Sequence, residues 1–229
     1  MENLNENLNT VFDLCQKKYD YNEIFEILKS GSVMEKQVAV LSLNEIRSHL
    51  DAEILISNLT GIDGKVRQVV AYKILQLMPE YKHFFLNKDF YDIFSKSIVD
   101  IDSNVCRLII DAVSYLKTDV EFCAYIANKM KDIISCSLVE LKKIPFRAKK
   151  YTSNKQYFKI YWCLETLVCF YSYLEKDDLF FILDNCSKLP EYTIREKCAV
   201  ILKFLSNKVD FADIYASLLN DENYYVRNV

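Results

Sequence analysis

The densest run of side chains able to do chemistry lies between Lys142 and Trp162. Seven basic residues, Lys142, Lys143, Arg147, Lys149, Lys150, Lys155 and Lys159, fall within eighteen positions and are interleaved with Tyr151, Tyr157, Tyr161 and Trp162. Ammonium and guanidinium groups grip phosphates or an acidic peptide, and neighbouring aromatic faces stack on bases or pack on a ligand. The candidate binding residues are therefore Lys142, Lys143, Arg147, Lys149, Lys150, Tyr151, Lys155, Tyr157 and Lys159. The same stretch also reads as a solvated loop whose lysines favour solubility, with Tyr161, Trp162, Phe170 and Tyr171 serving as core between helices.

Other chemistries lack raw material. The two histidines, His49 and His83, stand far apart with no cysteine pair nearby, so the common zinc geometries and histidine-activated nucleophiles are not expected. The three glycines, Gly31, Gly61 and Gly64, form no phosphate cradle. Carboxylate pairs such as Asp177 with Asp178 and Asp100 with Asp102 could do acid–base work, but aspartate at a helix start more often caps the helix. No catalytic residue, metal or cofactor is expected.

The elements that position these residues are set by composition. Three Gly and three Pro in 229 residues leave too few turn residues for a many-stranded β fold, so long helices remain. A formal charge of −3 gives no overall pull toward nucleic acid or anionic membranes, so any basic patch must be local. Met1–Asn9 does not read as a secretory leader and no C-x-x-C pair occurs. The eight cysteines, including Cys106, Cys123, Cys163, Cys169 and Cys198, are expected to be reduced core residues of a cytoplasmic protein. Apolar runs such as Tyr161–Tyr173 fall short of the ~20 residues a membrane span needs.

A register recurs along the chain: an acidic turn, an apolar anchor followed by arginine, then a small residue five places after the anchor. It is clearest in Asp63, Val66-Arg67 and Ala71, and returns in Ile194-Arg195 with Ala199 and in Asp221 with Val226-Arg227. Asp100, Asp102 and Val105 keep the turn but put Arg107 one place late, and Met34 with Ala39 lacks the basic residue. The anchors Met34, Val66, Val105, Ile194 and Val226 are 32, 39, 89 and 32 residues apart, and the long gap has room for one enlarged repeat. The expected hairpins pair 23–29 with 34–49, 52–59 with 65–77, 90–99 with 104–116, 120–142 with 154–174, 178–187 with 193–205, and 211–219 with a helix starting near Asn223. Residues 1–20 are expected to hold a capping helix, residues 142–154 a basic loop, and residues 210–229 an incomplete last repeat. A single amphipathic hairpin cannot bury its apolar face alone, so neighbouring hairpins are expected to stack.

In this register the chain resembles the HEAT-repeat superfamily over most of residues 31–229, except 119–174, where the motif is lost. The resemblance implies an all-α fold, a right-handed α-solenoid (α-α superhelix) of about six HEAT-like hairpins in a single domain. It also implies a ladder between repeats in which Asp63, Arg67, Arg195, Asp221 and Arg227 have structural roles. Two enzymatic branches share that fold. The DNA alkylation-repair glycosylases are basic and rich in groove tryptophans, unlike this chain with one Trp and a net negative charge, and no motif of the phycobilin-lyase-like branch stands out. The expectation is a protein-interaction scaffold without catalysis of its own, presenting residues such as Gln68, Lys73, Arg107, Asp111, Glu196 and Lys203 to a partner protein. Self-association through the last repeat, around Ile214, Leu218, Tyr225 and Val229, is a second expectation. The alternative is a nucleic-acid-binding or base-excision module using residues 142–159.

Overall fold

The computed structural model describes residues 14, 16–144, 150–205 and 209–229, with only the backbone of Lys150. Among them the chain is all-helical, with twelve α-helices, four short 3-10 segments and no strand. Contacts divide it into two compact units, Met1–Leu116 and Lys117–Val229.

The first unit holds α1 (Tyr21–Ser30), α2 (Val33–Ser42), α3 (His49–Ser57), α4 (Gly64–Phe85), α5 (Lys88–Ile98) and α6 (Ser103–Val113). Each helix starts where a short polar side chain can satisfy the free N–H groups of its first turn. Ser32 caps α2 and exchanges reciprocal bonds with Glu35, while Asp63 accepts from the Val66 N–H at 2.9 Å and Asp102 from that of Asn104 at 2.9 Å. Alternate helices pack on one another, α1 on α3 and α3 on α5 in one row, α2 on α4 and α4 on α6 in the other. Between the rows lie Phe25, Leu28, Leu55, Ile74, Met78, Phe94, Ile98, Ile109 and Val113, all buried.

The second unit holds α7 (Val120–Lys143), α8 (Lys150–Phe170), α9 (Lys176–Cys186), α10 (Tyr192–Phe204), α11 (Ala212–Leu219) and α12 (Tyr224–Arg227). Alternation continues, with α7 on α9, and with α8 on α10 and α10 on α12. The core includes Phe122, Met130, Ile134, Leu164, Leu167, Phe170, Ile182, Ile201 and Leu202.

Helix bounds differ from the expected ones in three places. The helix expected over 34–49 stops at Ser42, because Leu43 and Ile46 bury themselves from an irregular connection and Ser48 then caps α3. α4 runs eight residues past Leu77 and absorbs Pro79 by a kink, with Tyr81 at φ −107° and ψ 17°. The connection expected over 142–154 is helical through Lys143 and again from Lys150. The capping helix expected in residues 1–20 lies mostly outside the described residues; Leu14 and Gln16 are helical and residues 17–20 are not.

Candidate functional site

α8 carries no Gly or Pro over its 21 residues, and its side chains sort by helical period. Ile160, Cys163, Leu164, Leu167 and Phe170 form the fully buried side. A second stripe of Asn154, Tyr157, Phe158, Tyr161 and Trp162 faces Glu191 and Thr193 at the start of α10, and a groove of about 450 Å³ lies between them.

The groove is aromatic and internally braced. Trp162 meets Phe158 at 6.0 Å and Tyr161 at 5.0 Å between ring centroids, both edge to face, a geometry that aligns ring edges with π faces. One turn on, Lys197 from α10 places its ammonium 5.5 Å from the Tyr161 centroid and 2.6 Å from Glu165 Oε2. Burial pulls the Lys197 pKa down, but the bond to Glu165 and its charge outweigh that and leave it raised. The Tyr161 hydroxyl is pushed up by burial. The Trp162 indole N–H is buried and donates to nothing among the described residues.

The structure places the sequence candidates unevenly. Tyr157 lines the groove; Tyr151 (78% exposed) and Lys155 lie on the stripe that continues through Phe158 to Trp162, and Lys159 is half-buried. Lys142 and Lys143 are exposed in the last turn of α7, where Lys143 pairs with Glu140 at 2.8 Å. Such an exposed pair contributes little. Arg147, Lys149 and the Lys150 side chain lie outside the described residues. Asn154, Glu191 and Thr193 were missed as a group, since only packing of α8 against α10 makes them neighbours.

The ladder residues are resolved in detail. Arg67 grips Asp100 with two bonds, at 2.7 and 3.0 Å, and Arg195 grips Asp221 in the same way at 2.7 and 3.0 Å. Both pairs are largely buried, with side chains 9% and 11% exposed in the first and 9% each in the second. The Arg195 guanidinium holds the Asp221 carboxyl below the usual carboxylate range. Asp63, expected in the ladder, caps α4 instead, and the partner of Arg67 is Asp100. That partner was legible: Asp100 and Asp221 both stand five residues before an anchor, Val105 and Val226.

Among the residues expected to face a partner, Arg107, Asp111 and Lys203 are exposed and Gln68 and Glu196 half-buried. Lys73 is corrected. It is 5% exposed and spends its ammonium on the Leu41 carbonyl at 3.0 Å, while burial depresses its pKa. Its long stem occupies the α2–α4 contact, which periodicity alone does not resolve from the neighbouring surface stripe. Asp178, read as a cap, lies in the first turn of α9 and pairs with Lys131 at 2.9 Å.

Among the described residues no group of His, Cys, Asp and Glu is arranged to hold a metal ion, and no helix is long and apolar enough to cross a membrane. The described cysteines are free thiols. No protein-family model and no curated protein matches the chain. Among solved structures, a crystal structure of an engineered protein from the Northeast Structural Genomics Consortium is similar at 13% identity and a TM-score of 0.42, with 95% of this chain and 92% of that chain covered.

Proposed function

We propose that this chain is a HEAT-like α-solenoid scaffold, acting in the cytoplasm, that binds another protein by seating an apolar side chain of a peptide segment in the groove along α8. Row-on-row packing and the two buried Arg–Asp pairs favour the repeat reading. The groove carries the functional one: Tyr157, Phe158, Tyr161 and Trp162 offer apolar area, and Asn154, Glu191 and Thr193 offer a few directional contacts. That mixture is typical of binding grooves, where a few aromatic anchors dominate the affinity. The charged residue of the lining is Glu191, which suits a polypeptide better than a polyanion.

A nucleic-acid reading has one observation in its favour, the exposed Tyr151 one helical turn from Lys155. The test uses Trp162, the single tryptophan of the chain, as a built-in reporter. Its emission is followed during titration with a panel of short peptides bearing an aliphatic or aromatic anchor, and with single- and double-stranded oligonucleotides at low and moderate salt. Peptides are expected to shift the emission, and Tyr157→Ala is expected to weaken them by about 2 kcal/mol, as loss of an aromatic anchor does. Salt-sensitive oligonucleotide binding that disappears when Lys143 and Lys155 become Glu would favour the nucleic-acid reading instead.

A further inference from the structure

Arg47 and Lys197 are held by one device, an aromatic ring on one side and a carboxylate on the other. The Arg47 guanidinium carbon stands 3.9 Å from the centroid of Tyr21 while its Nε donates to Glu45 Oε1 at 2.8 Å. Between α8 and α10, Lys197 stands 5.5 Å from the Tyr161 centroid and 2.6 Å from Glu165 Oε2. Ring faces carry partial negative charge, so each cation meets its opposite on both sides.

The groove beside Lys197 is built from the same components. Among the described residues its lining joins Tyr157, Phe158, Tyr161 and Trp162 to one charged group, Glu191, around about 450 Å³, a volume that takes a long side chain beside an apolar anchor. The Glu191 carboxylate is half-buried, accepts the Thr193 hydroxyl at 3.3 Å and is not spent on capping α10.

We propose that the groove takes a basic side chain of its peptide, arginine in preference to lysine, laid on the aromatic wall with its charge on Glu191. The inference rests on the reading of the groove as a peptide site and names a second side chain that the peptide carries beside its apolar anchor. A guanidinium lies flat on a ring, leaves water at less cost than an ammonium, and keeps its edge N–H groups for the carboxylate. Tyr161 is already engaged by Lys197, so Tyr157, Phe158 and Trp162 supply the faces. Lys155 and Lys159 lie on α8 outside the lining, and at physiological salt the repulsion from an exposed ammonium is screened within about 8 Å.

The test follows Trp162 emission at about 0.15 M salt. Capped peptides share one leucine or phenylalanine anchor and carry arginine, lysine or citrulline a few residues from it. Arginine peptides are expected to bind about tenfold to a hundredfold more tightly than citrulline peptides, which keep the shape and lose the charge, with lysine between. Glu191→Gln should remove most of that preference while binding the citrulline peptides as before, which also shows that the variant is folded. Glu53→Gln, an equal change of charge at an exposed position of the other unit, should leave the preference intact and so separates a contact from the pull of net charge. Tyr157→Leu keeps apolar area and loses a π face, and it should weaken the arginine peptides more than the citrulline ones. Equal affinity for arginine and citrulline peptides, or a preference indifferent to Glu191→Gln, would overturn the inference and leave the groove reading standing. No emission shift with any peptide would remove the groove reading and the inference together.

Discussion

The two buried Arg–Asp pairs are near-duplicates, one in each unit, and they differ in the residue six places beyond the aspartate. Beyond Asp100 the register places Cys106, whose thiol burial pushes up to about 12, so that it stays a neutral donor within the unit. Beyond Asp221 it places Arg227, whose fork points to solvent. The same turn chemistry is therefore followed by a neutral, inward-facing donor in the first case and by an exposed cation in the second, and the difference rests on a single residue type. A similar contrast separates two lysines, one buried and one half-buried: Lys73 has only a carbonyl and a depressed pKa, whereas Lys197 has Glu165 and a raised one.

The duplicate pairs should behave alike when broken. Arg67→Ala or Arg195→Ala leaves a nearly buried carboxylate without its counter-charge and several carbonyls without a donor, and each is expected to cost about 3–5 kcal/mol in denaturant unfolding. The comparison would break if one substitution cost under about 1 kcal/mol while the other kept the full loss. Such an outcome would mean that water reaches one carboxylate but not the other.

The acid side sharpens the same comparison. Asp221 has a folded pKa below the ordinary ~3.9 of the unfolded chain, so the stability it contributes is fully present above that value and is lost as pH falls through the lower, folded value. Asp221→Asn should therefore cost about 1–3 kcal/mol at neutral pH, the range for leaving buried charged partners unsatisfied. It should also flatten the decline in stability below about pH 4, measured as urea midpoints across pH. An unchanged acid limb would assign that decline to other carboxylates.

How much of this could be read beforehand depended on whether a residue acts through its neighbours in sequence or across a gap. The all-helical class came from three Gly and three Pro, and α5, α6, α9 and α10 lie within a few residues of the periods that marked them. Asp63 and Asp100 differ in spacing, three residues before a Val anchor against five, but the expected register treated both alike because each sits in an acidic turn. What decides between them is a contact 33 residues away, from Arg67 to Asp100. The groove was half legible: Tyr157 and Trp162 stood out as aromatics within a basic run, while Glu191 and Thr193 carry no signal until α10 is laid against α8. The end of α4 expected at residue 77 fell short, since the helix runs on through Pro79 to Phe85 by way of a kink at Tyr81.

The smallest expected effect concerns Lys73, and it tests whether a buried cation here is sustained by its partner or merely tolerated. Its folded pKa lies below the ordinary ~10.4, so between the two values the unfolded chain binds the proton more readily and stability rises with pH across that window. Lys73→Met removes the cost of burying an ammonium, about 1 kcal/mol or more, and leaves the Leu41 carbonyl without its donor at a cost of similar size. The net change at neutral pH should be within about 1 kcal/mol of zero, and the alkaline rise should vanish. Lys197→Met strands the Glu165 carboxylate and should cost more, about 2 kcal/mol, since that pair is only partly screened by solvent. Thermal unfolding of both variants between neutral and alkaline pH decides the matter. Equal losses would show that the carbonyl of Leu41 sustains a cation as well as a carboxylate does, and the contrast between the two lysines would collapse.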